Sequence, residues 1–168
     1  MNQQSLNPTI KYLNEGLAEV LGDKSETQID HCVQKYGVEC TRGIVQRAGR
    51  AGLYYWLRDQ AMGYGWQEPE YRLLSFRQKV MRGLANITDW LERNSTSKFQ
   101  LNEHKEKVVI QCTSERKFAT MECAFYLGLF QEFLSWTASG KFFPAAEIYC
   151  PEDTRQAHVF EFRMNPLD

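Results

Sequence analysis

Four side chains in the second half of the sequence have the chemistry of metal ligands: Cys112, Cys123, Cys150 and His158. Three thiolates and one imidazole form a soft set of the kind that zinc takes in tetrahedral geometry. The alternating segments KVVIQC, AAEIYC and HVFEFR read as antiparallel strands. In them Cys112 shares a face with Val108 and Ile110, Cys150 with Ala146 and Ile148, and His158 with Phe160 and Phe162. Each of the three stands at a strand end, and Cys123 stands near the start of an apolar helix, so the four could meet at one rim of a sheet. The spacings lack the two-residue gaps of zinc knuckles. The competing reading is three buried cysteines acting as small hydrophobes beside a hydrogen-bonded histidine.

A second set is cationic. In TRGIVQRAGRAGLYYWLRDQ, read as a helix, Arg47, Arg50 and Arg58 fall within about 80° of one another at ~100° per residue. They form either a solvated stripe or a site for an anion or a partner's carboxylate, which the planar guanidinium fork grips in bidentate fashion. The same helix carries Gly43, Gly49 and Gly52, each unfavourable by ~1 kcal/mol relative to alanine. A close approach by another backbone or by a ligand would compensate. The sequence contains no GxSxG, no GxxxxGK[ST] and no Cys/His signature of nucleophilic catalysis. No residue is therefore assigned a catalytic role.

Positioning these groups requires a helical first half and a strand-rich second half, divided by the polar stretch RNSTSKFQLNEHKEK at 93–107. Periodicity predicts helices over roughly 8–21, 25–36, 40–62 and 71–93, with Leu73, Val80, Leu84, Ile87 and Leu91 on one buried stripe of the last. A further helix over about 120–138 is apolar around most of its circumference, with Gly128, Gln131, Glu132 and Ser135 as its polar sector. One sheet face cannot shield that much apolar surface, so other helices, an identical subunit or a hydrophobic ligand must cover the rest.

Composition narrows the classes. Twenty basic and 21 acidic residues give a net charge of −1, which provides no field for nucleic acid or an anionic membrane. The sequence starts without a basic segment and apolar core of the signal-peptide type, and no apolar run approaches ~18 residues. Five cysteines, an odd number, argue against a disulfide framework. The expectation is one cytoplasmic domain spanning 1–168, with no membrane span and no nucleic-acid partner.

Taken in order, GIVQRAGRAGLYYWL, RLLSFRQKVMRGLANITDWL, ECAFYLGLFQEFLSW and AAEIYC followed by HVFEFR resemble the 4-vinyl reductase domain family over about residues 8–165. This is a small-molecule or hydrocarbon-binding family related in fold to Golgi-transport tethering subunits. Cys112 resembles one member of that family's first cysteine pair, Cys123 its helix cysteine and Cys150 its penultimate-strand cysteine. His158 replaces the last-strand cysteine, and the second member of the pair is missing. The resemblance implies an α+β fold, a twisted antiparallel sheet of about four strands covered on one face by helices, with dimerisation through helices and an apolar cavity. It extends at fold level to haem-based nitric-oxide sensors, but their Tyr-x-Ser-x-Arg motif is out of register in Tyr71, Ser75 and Arg77, and haem is not expected. The function expected is non-catalytic binding of a hydrocarbon, lipid or tetrapyrrole-like molecule by a homodimeric domain. Its pocket is expected to be lined by Gly49, Gly52, Tyr55, Trp56, Tyr126, Phe130 and Trp136. The alternatives are an enzyme or accessory of tetrapyrrole vinyl reduction, and an adaptor docking through Arg47, Arg50 and Arg58.

Overall fold

The glycine-rich helix forms as α3 (Val38–Gln60), and its glycines are explained by what lies against them. The computed structural model describes residues 8–22, 29–113, 119–149 and 157–167. Both α1 (Pro8–Leu21) and α6 (Ala119–Thr137) pack on α3. A methyl group added at Gly128 of α6 would stand 1.9 Å from the Gln46 carbonyl oxygen, and one at Gly49 of α3 would stand 2.1 Å from that of Phe125. At Gly16 of α1 it would stand 2.1 Å from the Ala48 carbonyl. These helices meet backbone to backbone, with no room for a Cβ.

Between Ile29 and Tyr36 lies α2. The helix predicted over 71–93 is divided into α4 (Pro69–Arg72) and α5 (Phe76–Asn94). Ser75 stops any continuation by forming a capping box with Gln78, each side chain satisfying the other's backbone N–H. Val80, Leu84, Ile87 and Leu91 are buried, whereas Leu73 falls outside the helix and is 86% exposed.

The sheet is antiparallel, in the order β1 (Lys98–Glu103), β2 (Lys107–Thr113), β4 (His158–Arg163), β3 (Ala145–Tyr149). Helices pack on it to give a mixed α+β fold. In β2 and β4 the predicted faces are buried. In β3 the parity is reversed: Ala146 and Ile148 are exposed and Glu147 turns inward, next to a register shift between Glu147 and Tyr149. β1 lies inside the stretch read as a polar break. As an edge strand with one wet face, it needs only Phe99 and Leu101 half-buried and keeps Lys98 and Gln100 in water.

From Met121 to Ser135 in α6, only Glu122 and Glu132 are not buried. Cover comes from α3, from α5, where Phe133 lies against Gly83, and from the sheet, where Phe130 meets Phe162 with centroids 6.2 Å apart. Among the described residues, no helix is long and apolar enough to cross a membrane.

Candidate functional site

Alongside their backbone contact, α3 and α6 flank a cleft of about 420 Å³. Its lining is Arg50 and Tyr54 of α3, Glu132, Ser135 and Trp136 of α6, and Ser139, Gly140 and Phe142 just beyond. The helix stops there because Ser139 and Gly140 both take positive φ (58° and 89°), and the Gly140 N–H donates to the Ser135 carbonyl at 2.7 Å. Three large rings stay exposed at this cleft: Tyr54 at 53%, Phe142 at 44% and Trp136 at 39%. Glu132 organises the opposite wall, accepting hydrogen bonds from Arg50 Nε at 2.7 Å and from the Tyr54 hydroxyl at 2.8 Å. That bond to Glu132 holds the Tyr54 phenol above its ordinary pKa, with burial adding to it. A smaller cleft of about 250 Å³ shares Arg50, Tyr54 and Glu132 and runs past Arg47 and Ala51 to Glu19 and Val20 of α1.

Trp136 also belongs to the interior. Its ring lies 5.8 Å from that of Trp66 and 6.2 Å from that of Phe133. Behind it, Trp66 stacks on Tyr71 (5.6 Å, 9°) and lies 5.3 Å from Trp56, which stacks on Tyr64 (5.8 Å, 20°). The local sequence AMGYGW makes this nest: Gly65, at φ 70°, reverses the chain so that Tyr64 and Trp66 both return to Trp56. Burial pushes the Tyr71 phenol up to about 12, and its hydroxyl donates to the Lys79 carbonyl at 3.1 Å. The indole N–H groups of Trp56 and Trp66 are buried and find no hydrogen-bond partner among the described residues. Each such orphan costs about 1–3 kcal/mol.

A larger cleft, about 690 Å³, lies between the β1–β2 hairpin and the C-terminal segment. Its walls include Lys105, Glu106, Lys107, Glu161 and Arg163. Small-molecule sites are mainly apolar with a few convergent polar groups, and the cleft beside Trp136 fits that chemistry better.

Of the residues predicted to line a pocket, Trp136 walls the cleft and Trp56 lies in the nest behind it. Gly49 and Gly52 seat α6 and the Phe125 ring on α3. The Tyr55 hydroxyl donates to Glu19 at 2.9 Å. Tyr126 and Phe130 are fully buried against Phe99, and the Tyr126 hydroxyl is 3.1 Å from that of Ser97. Among the predicted arginines, Arg50 reaches the cleft and Arg47 the smaller cleft, while Arg58 pairs with Asp59 and Glu15. Phe142, Tyr64 and Trp66 gave no periodic signal, because a loop and a 3₁₀ turn (Ala61–Tyr64) carry them.

The expectation of zinc is corrected. Cys112 and His158 are register partners across β2 and β4, and the Cys123 thiol is pushed up by a hydrogen bond to Cys112 and by burial. Yet no group of three or more His, Cys, Asp or Glu among the described residues is arranged to hold a metal ion, and Cys150 lies outside those residues. The reversed parity of β3 gives the imidazole another partner. His158 Nδ1 is 3.3 Å from Glu147, whose other carboxylate oxygen is gripped by Arg42.

No family model matches the chain, and no curated protein matches it. Solved structures do. One, from work on the molecular mechanism of H-NOX activation, is 14% identical over 100% of this chain and 99% of its own, with a TM-score of 0.54. An oxygen-binding H-NOX domain related to soluble guanylate cyclases, solved as its oxygen complex, is 16% identical over 99% and 96%, with a TM-score of 0.52. A third, from a study of haem redox potential and porphyrin distortion, is 15% identical over 97% and 99%, with a TM-score of 0.51. The fold is the one these domains share. The resemblance to 4-vinyl reductase domains is corrected accordingly: the neighbours are H-NOX domains, and the agreement in glycine and aromatic pattern reflected helix contacts and core packing.

Haem, which those neighbours bring into question, does not fit the described side chains. An axial ligand would have to be His, Cys, Met or Tyr facing a slab of free space. His31 and His104 are exposed on α2 and the β1–β2 turn, and His158 is packed in the sheet beside Glu147. None of the three clefts brings a His, Cys or Met to its wall, and Tyr54 is held by Glu132. Tyr71, Ser75 and Arg77 are also engaged: Tyr71 with Lys79, Ser75 in its cap, and Arg77 with Glu103 and the hairpin carbonyls of His104 and Lys105.

Proposed function

We propose that this chain is a non-catalytic small-molecule sensing domain that takes a hydrophobic ligand at the cleft between α3 and α6. The position of Trp136 carries the reading: one side of the ring faces a cleft of ligand size, and the ring also contacts Trp66 and Phe133 of the buried nest. A guest seated on Trp136 therefore presses on Phe133, whose ring fills the space a side chain at Gly83 would need, and so on α5. Binding at the surface is linked to a helix that also contacts the sheet. Near full-length likeness to H-NOX domains, one of them an oxygen complex, supports a sensing role over a catalytic one.

The test is a titration of the full chain with naphthalene, followed by tryptophan fluorescence. Saturable quenching that Trp136→Ala weakens by roughly tenfold or more is the expected outcome, since the substitution removes a principal aromatic wall. Absence of saturable binding, or binding indifferent to Trp136→Ala, contradicts the proposal. Haemin at one equivalent should give no sharp, shifted Soret band, because among the described residues no His, Cys or Met lines any of these three clefts; such a band would contradict the haem-free reading.

A further inference from the structure

In the cleft beside Trp136 the side-chain groups left over for a guest are hydrogen-bond donors. The carboxylate there is engaged, one oxygen of Glu132 taking the Arg50 Nε–H and the other the Tyr54 hydroxyl. Arg50 uses only Nε in that pair, so its two Nη amino groups have no acceptor among the described residues. Ser135 stands three residues beyond Glu132 on the same face of α6 and also lines the cleft. It is only 6% exposed, and its hydroxyl has no partner among the described residues. Wholly enclosed unpaired atoms occur at Glu15, Trp56 and Trp66 and not at Ser135, whose hydroxyl therefore opens on the cleft. Around these donors stand the exposed rings of Tyr54, Trp136 and Phe142. The adjoining smaller cleft adds the exposed Arg47, which has no ion pair among the described residues, while Glu19 there accepts from the Tyr55 hydroxyl.

We infer that this cleft takes an aromatic carboxylate, its ring laid on Trp136 and its carboxylate held by the Arg50 Nη groups and the Ser135 hydroxyl. The inference rests on the proposal that a small molecule seats on Trp136, and it adds the ligand's class. A guanidinium presents its N–H groups in a planar fork that matches the two oxygens of a carboxylate, and a hydroxyl can give a third bond. The charge of Glu132, which alone would repel such a guest, is offset by Arg50, and Arg47 keeps a further positive charge close by. A plain hydrocarbon seats on the same rings and leaves the donors to water. A guest bearing an ammonium group faces two guanidinium groups and finds Glu132 already engaged.

The experiment compares three probes built on one bicyclic ring, naphthalene, 2-naphthoate and 2-naphthylmethylammonium, titrated against the full chain at low salt and followed by tryptophan fluorescence. Naphthoate should bind about tenfold more tightly than naphthalene, the factor that a charge-assisted hydrogen bond supplies at a half-open site, and the ammonium probe no more tightly than naphthalene. Arg50→Lys keeps the charge and loses the fork, and Ser135→Ala removes only the hydroxyl. Each should shrink the ratio of naphthoate to naphthalene affinity to about threefold or less. Because the ratio compares two probes on one protein, a general loosening of a variant does not mimic this result, and the wild-type comparison needs no variant to fold. Equal affinities for naphthoate and naphthalene, or a preference for the ammonium probe, would overturn the ligand class while leaving Trp136-dependent binding of naphthalene intact. An unchanged ratio in both variants would overturn the assignment of Arg50 and Ser135. Binding of none of the three probes would overturn the cleft itself.

Discussion

Gly128→Ala inverts the usual sign of a helix substitution. In an exposed helix interior, replacing glycine by alanine stabilises by about 1 kcal/mol, since alanine restricts the unfolded chain and favours the helix. At Gly128 the new methyl carbon would lie 1.9 Å from the Gln46 carbonyl oxygen, 2.8 Å from its carbon and 3.2 Å from the Arg50 nitrogen. Ordinary carbon to oxygen contact begins near 3.3 Å, so α3 and α6 must separate by about 1.5 Å where they cross. The obstructing atoms are backbone, and no side-chain rotation relieves them. Overpacking of this kind costs typically 1–3 kcal/mol, and separation also loosens the Phe125 and Leu129 contacts, which places the net loss at about 2 kcal/mol after the helix gain is subtracted. In a chain of 168 residues that corresponds to a fall in Tm of about 5 °C. Gly43→Ala is the control: it lies in the same α3, nothing comes within 4 Å of the added carbon, and the variant should be more stable by ~0.5–1 kcal/mol. Urea and thermal unfolding of both variants decide the matter. If Gly128→Ala stabilises as Gly43→Ala does, the backbone contact between α3 and α6 is wrong.

Three further outcomes follow from ionisable and polar groups. Asp59 accepts hydrogen bonds from Arg58, Lys11 and Tyr12, and Arg58 first and Lys11 second hold its carboxyl below the ordinary range. A depressed carboxyl pKa contributes stability above about pH 4 and loses it below, so Asp59→Asn should lower Tm by ~1–3 °C at pH 7 in this solvent-screened cluster, a difference that shrinks on acidification below pH 4. Tyr71, pushed up to about 12 by burial, favours the neutral phenol in the folded chain; its share of stability is complete below the ordinary pKa of ~10 and is lost as pH rises from there to about 12. The difference between wild type and Tyr71→Phe in absorbance near 295 nm should accordingly show the Tyr71 ionisation missing at pH 11 in native protein and present in urea. Tyr126→Phe removes the partner of the buried Ser97 hydroxyl and should cost ~1 kcal/mol in urea unfolding; no change would show that the pair contributes nothing.

The helices were legible because their signals are local. Pro8 opens α1, the stripe from Val80 to Leu91 keeps helical spacing, and the near-continuous apolar content of α6 announced a central helix. What lies against α6 was not local: the choice among helices, a second subunit and a ligand depended on Gly49 and Gly128 meeting backbones far away in sequence. β1 escaped notice because an edge strand needs few apolar residues, and β3 was placed on the wrong face because Ala146 and Ile148 look like core residues although the chain turns Glu147 inward. That one reversal also removed the basis of the metal reading, since it brought a carboxylate to His158. In the candidate site, Trp56, Arg50 and Trp136 could be singled out from their helices. Tyr64, Trp66 and Phe142 could not, because their positions are set by positive-φ residues at 65, 139 and 140 and not by any repeat.

The central claim is that Trp136 is the point where a small molecule meets this domain. The chain has four tryptophans, Trp56, Trp66, Trp90 and Trp136, so protein labelled with 5-fluorotryptophan gives four fluorine signals that single substitutions assign. Addition of naphthalene should move the Trp136 signal saturably, carry Trp66 with it and leave Trp90 nearest its starting position. A Trp136 signal that stays still at saturating naphthalene, whatever the other three do, would contradict the account.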